Sequence, residues 1–316
     1  MTDVRPGRFL VRLTLVLLLC GAGSCLPTAV SADLWLDLNL PTHGAPATGR
    51  PQPTVIFNWA GPAGESMAER CRAALEGRGG EITAALVPDT LALLPVQCLL
   101  LDSATFQDQF GSRLPDWGVG VALPGGRTLA IDYNRVPEFG RSVEQVFLHE
   151  LTHAVIMQAA GETWLPAWFH EGAAMWFSGE WRFTDTIAVV LNGNLPSLWN
   201  LQDRFPATTG WADQAYRTSL LAHTALRADH GPDVTARIIA VARRSGQFDA
   251  AFQEATGESL EAFVQRFAAD MKLRFGWLFT VTRWPTLFVL LAAGFLGAAI
   301  ARTVRNRRRL TAMDDE

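Results

Sequence analysis

Histidine is scarce in this chain, six in 316 residues, and cysteine scarcer still, with four. Cys20 and Cys25 fall in an apolar N-terminal segment, leaving only Cys71 and Cys98 for the remainder. At most one disulfide can then form there, which excludes a disulfide-dense scaffold. No internal repeat is visible, so a solenoid or propeller is excluded. The net charge is −4, with no broad basic patch and no nucleic-acid-binding module. A nucleic-acid partner is therefore not expected.

Against that scarcity, two of the six histidines stand four residues apart in His149-Glu150-Leu151-Thr152-His153. On a helix this spacing puts both imidazoles on one face, one turn apart. Both can then reach a single Zn²⁺, while Glu150 points beside the metal, where a carboxylate can take a proton from water. The flanks support a helix: Val143, Val146, Phe147, Leu151, Ala154 and Val155 recur at mostly helical spacing. Ser142 with Gln145 three residues on forms a candidate capping box.

A catalytic zinc normally takes a third protein ligand and keeps one position open. The extended histidine form of the motif would need a histidine at 159, which is Ala159. A following helix, starting near Pro166, offers Glu171, eighteen residues after His153. His170 is the rival, but neighbouring helical side chains point about 100° apart, so both do not suit one metal.

His149-Glu-Leu-Thr-His153 followed by Leu165-Pro-Ala-Trp-Phe-His-Glu-Gly-Ala-Ala-Met-Trp176 resembles the gluzincin metallopeptidases, in particular the bacterial peptidase MA-like branch. The segments around Tyr216–Ser219 and Phe248–Phe263 are similar to that family's downstream helices. The resemblance implies His149, His153 and Glu171 as zinc ligands, Glu150 as general base, and a peptide or protein as substrate. It also offers Tyr216 as an oxyanion donor, the alternative being a tyrosine packed at a helix start. One departure stands out. Many members carry an acidic residue four after the glutamate ligand, where this chain has Met175. A carboxylate behind the ligands would then come from elsewhere, Glu180 or Asp185.

The two ends carry further expectations. Residues 1–32 read as a secretory signal, with Arg5, Arg8 and Arg12 before an apolar core and Val30-Ser31-Ala32 at the cleavage point. A lipoprotein-type site at Cys25 and an uncleaved anchor are the alternatives. Residues 284–301 form a charge-free run, followed by Arg302, Arg305, Arg307, Arg308 and Arg309. That pattern predicts one transmembrane helix in the lipid bilayer of the cell membrane, a cytoplasmic tail over 302–316, and an extracytoplasmic catalytic domain. Pro285, Gly294 and Gly297 leave a buried helix as the alternative. In an oxidising compartment Cys71 and Cys98 would pair, adding roughly 3 kcal/mol by chain-entropy arithmetic; two buried thiols are the alternative.

Between the ends, strand patterns at 53–59 and 96–102, a helix over 65–86 interrupted at Gly77-Arg-Gly-Gly80, and a hairpin turning at Pro124-Gly-Gly126 precede purely helical patterns. The expected class is α+β: a small sheet lobe over 33–141, then a helical zinc-binding lobe over 142–276. The edge of that sheet would take an extended peptide by strand addition. The expected function is a membrane-anchored zinc peptidase. The alternative is a catalytically weak domain of the same type that serves as a tethered binding or assembly module.

Overall fold

The computed structural model describes residues 9–19, 28–38, 52–88, 91–111, 114, 118–180, 195–203, 209–282 and 284–314. Arg5, Arg8, Cys20, Cys25 and Asp185 lie outside the described residues. The chain divides into two compact units, Met1–Thr42 with Leu273–Glu316, and His43–Lys272.

In the first unit, β1 (Phe9–Leu19) and β2 (Thr28–Leu38) pair antiparallel, from Phe9 opposite Leu38 to Leu19 opposite Thr28. The C-terminal run belongs to a helix, Trp284–Asp314. The expected single-pass membrane placement is overturned here: among the described residues, no helix is long and apolar enough to cross a membrane. The charge-free run spans about 27 Å at helical rise, short of the roughly 30 Å hydrocarbon layer. Ala292, Ala293, Gly294, Gly297, Ala298 and Ala299 dilute its apolar character, and the helix runs on into the arginines.

The second unit is mostly helical around one small mixed sheet. β3 (Val55–Trp59) and β4 (Val96–Leu101) are parallel, and so are β4 and β6 (Thr128–Asp132). β5 (Gly120–Ala122) runs antiparallel to β6 at one edge, giving the order β3-β4-β6-β5. Parallel neighbours need a crossover. α1 (Gly64–Leu86) supplies it between β3 and β4, and α2 (Ser103–Phe110) lies between β4 and the β5–β6 hairpin. The hairpin turns at Gly125 and Gly126, whose φ values of 84° and 64° favour glycine.

The expected two-lobe α+β division is therefore corrected. Helices interleave with the strands, and one continuous core runs from Ala68 and Cys71 through Leu100, Leu129 and Phe147 to Phe263 and Phe267. α1 also passes unbroken through Gly77–Gly80. Cys71, Leu75, Gly79 and Ile82 bury one face of it, and that packing outweighs the cost of about 1 kcal/mol per glycine. Cys71 and Cys98 remain separate buried thiols, which overturns the disulfide expectation. Burial pushes the Cys71 thiol up to about 12 and that of Cys98 well above its usual value.

At the centre lies α3 (Val143–Ala160), buried on nearly every side. Phe147 meets Phe57 of the sheet at 5.5 Å between ring centroids. Near its far end, the Gln158 side chain donates to the carbonyls of Gly126 (2.7 Å) and Leu94 (3.2 Å). α4 (Ala167–Ser178), α5 (Thr209–His230), α6 (Val234–Ser245), α7 (Phe248–Thr256) and α8 (Leu260–Thr282) follow. The helix that ends the chain, described above, is α9.

Candidate metal centre

The site begins with the cap of α3. Ser142 Oγ accepts from the Gln145 backbone N–H (3.2 Å), and Gln145 Oε1 accepts from the Ser142 N–H (3.0 Å), completing the expected capping box. One turn further on, His149 and His153 bring their Nε2 atoms to 3.1 Å. α4 starts after Pro166, which takes the cap position itself. Glu171 Oε2 then lies 3.2 Å from His149 Nε2 and 3.4 Å from His153 Nε2.

The three donor atoms lie within 4.8 Å of one another. Two imidazole nitrogens and one carboxylate oxygen, with His149 buried and His153 and Glu171 half-buried, are a donor set that suits zinc. His170 stands outside this group. Its ring lines the cleft 5.8 Å from that of His153, and burial, with His153 beside it, holds its pKa down at about 3.

The charges are coupled. Burial disfavours a charged His149, yet Glu180 and then Glu171 outweigh it and raise its pKa to about 10. Burial likewise disfavours the Glu171 carboxylate, but His153 and His149 hold it well below the usual carboxylate range. Ligand histidines must be neutral, so a metal bound at this site would displace protons.

Glu150, 8% exposed, sits on the same helix and opens into the same cleft. Burial raises its pKa, partly offset by the two histidines. Its room comes from Gly120 on β5, where a Cβ would lie 2.6 Å from Glu150 Oε1. Tyr216 on α5 also lines the cleft, its ring 6.3 Å from that of His149. Burial, with Glu171 close by, keeps the phenol protonated far above its usual range.

The cleft is about 430 Å³, walled on one side by Gly118, Gly120, Val121 and Ala122 and on the other by α4 and α5 residues. Trp164 borders it and is half exposed, whereas Trp168 is fully buried core.

Of the two carboxylates considered for the position behind the ligands, Glu180 is there: its Oε1 lies 3.2 Å from His149 Nδ1. Met175 is buried. Sequence reasoning missed Arg141, whose Nη2 lies 3.6 Å from Glu180 Oε2 and whose guanidinium sits 5.9 Å over the Tyr216 ring. Its only sequence signal was its place just before the Ser142 cap. Gly120 was missed as well, inside an otherwise ordinary strand pattern.

The Glu-Gly-Ala-Ala run of α4 has a packing reason. A Cβ at Gly172 would run into the Ser219 carbonyl of α5 and lie 2.8 Å from the His223 Cβ. Gly172→Ala is expected to destabilise the fold by roughly 1–3 kcal/mol through overpacking. Urea unfolding measures it, and an unchanged midpoint would show that α4 and α5 shift apart freely.

No family model matches the chain. Over 153 residues it is 26% identical to "Uncharacterized protein YhcO" of Bacillus subtilis (strain 168), a match covering 46% of this chain and 47% of that protein. The chain thus spans about half the length of the curated relative it matches, and the match assigns no family.

Proposed function

We propose that this protein is a zinc-dependent peptidase of the gluzincin type. The observation that carries the proposal is the convergence of His149 Nε2, His153 Nε2 and Glu171 Oε2 beside the buried carboxylate of Glu150 in one cleft. His149, His153 and Glu171 would hold the ion. A bound zinc supplies Lewis acidity, polarising a carbonyl and lowering the pKa of water.

The remaining work belongs to the chain. Glu150 accepts the proton of the attacking water and returns it to the leaving amine. Burial already lifts its pKa, which favours that return. Tyr216, protonated and facing the cleft, donates to the oxyanion that develops on the scissile carbonyl. β5 is an edge strand among the described residues, which supports an extended peptide as the occupant, since an edge strand can add another strand.

Incubating the full chain with a peptide library, with zinc content measured in parallel, tests the proposal. Cleavage that stops on chelation and returns with zinc is the expected result; stoichiometric zinc without cleavage of any peptide would sink it. Tyr216→Phe is expected to lower kcat by about 10²–10³-fold, the usual effect of losing one oxyanion donor. Steady-state kinetics reads this as a fall in kcat at similar KM, and an unaltered kcat would return Tyr216 to a packing role.

A further inference from the structure

The cap of α3 does more than start a helix. Gln145, already bonded to Ser142, also donates its Nε2 to the Gly179 carbonyl at 3.3 Å. Gly179 closes α4 in the left-handed conformation, φ 69°. The residue after it is Glu180, which is therefore held against the start of α3. Its side chain is 4% exposed, and its two oxygens face different partners: Oε1 the Nδ1 of His149 at 3.2 Å, Oε2 the Arg141 guanidinium at 3.6 Å. Arg141 enters from the residue preceding the cap.

Neither oxygen of Glu180, nor His149 Nδ1, completes a hydrogen bond of good geometry among the described residues. Burying a carboxylate costs free energy that its histidine and arginine neighbours offset fully only when hydrogen bonds satisfy its oxygens. A neutral imidazole carries one proton. If Nδ1 holds it toward Glu180, the lone pair is left on Nε2, the atom that faces His153 and Glu171. Carboxylates behind metal-binding histidines fix tautomer and ring orientation in this way and make the ring a stronger donor.

We infer that Glu180 and Arg141 are positioning residues for His149: Glu180 holds the Nδ1 proton and turns Nε2 into the site, and Arg141 holds Glu180 in place. The inference rests on the metal-site reading above. The position four after Glu171 is occupied by buried Met175, which offers no carboxylate, so the role passes to a residue beyond the end of α4.

The test is zinc affinity of the full chain by chelator competition, with the absorption spectrum of the Co²⁺-loaded protein as a second readout. Wild type is expected to bind one zinc. Glu180→Gln and Arg141→Gln should each bind it about 10–100-fold more weakly, the range found when such supporting partners are lost. Both should alter the cobalt spectrum, which a purely structural role would leave alone. Glu180→Asp, which keeps the charge, should recover part of the affinity; it also decides the matter if Glu180→Gln fails to melt cooperatively. Wild-type affinity and an unchanged spectrum in Glu180→Gln would overturn the inference while leaving the metal centre standing. Failure of wild type itself to bind zinc or cobalt would overturn the metal-site reading, and this inference with it.

Discussion

Glu150→Gln is expected to keep its zinc and lose peptide hydrolysis by at least about 10²–10⁴-fold, the span assigned to a positioned general base. The amide has nearly the shape of the carboxylate but cannot accept the proton of the attacking water. Shape matters here because Gly120 abuts the side chain: the Cβ that Gly120 lacks would sit 2.6 Å from Oε1. Glutamine fits that space, so folding and metal content should match wild type. The measurement pairs elemental analysis with turnover of the best library peptide. Undiminished turnover would remove Glu150 as the base, and with it the proposed mechanism.

Glu171→Ala should reduce zinc binding from one equivalent to a trace after dialysis, because a site left with two imidazoles has lost both a ligand and the negative charge that attracts the cation. His170→Ala is the contrasting variant. His170 is adjacent in sequence and lines the same cleft, yet it stands outside the converging donor set. It should retain one zinc. The reverse pattern, with metal kept in Glu171→Ala and lost in His170→Ala, would exchange their assignments. Loss in both would mean that the third donor depends on the packing of α4 as a whole.

What the residues announced in advance was local. The Ser142–Gln145 cap, the helix it starts and the turn at Gly125-Gly126 all rest on short-range geometry, and all appear in the structure. The spacing of His149 and His153 is of the same kind, whereas Glu171 was preferred to His170 through the resemblance of its Glu-Gly-Ala-Ala context. What escaped was set by packing at a distance. The glycines of α1 read as a break, but a helix face buried against the sheet overrides their propensity. Strands followed by helices read as two lobes, whereas parallel pairing of β3, β4 and β6 threads helices between them. The terminal run read as a membrane span, whereas no described helix is long and apolar enough for one. Glu180 was one of two candidates because its approach to His149 depends on how the end of α4 meets α3, which no local pattern encodes. Arg141 had no signal beyond its place before the Ser142 cap, since its partner lies beyond the end of another helix.

The contact between Gln158 and the hairpin turn has a mechanical meaning. Gln158 grips the Gly126 carbonyl, Gly126 has no room for a side chain against Ala154, and Gly120 abuts Glu150. The β5–β6 hairpin is thus riveted at both ends to the helix that carries the two histidines. One jaw of the cleft and its floor form a single casting. The gap beside Glu150 is gauged by the missing side chain of residue 120.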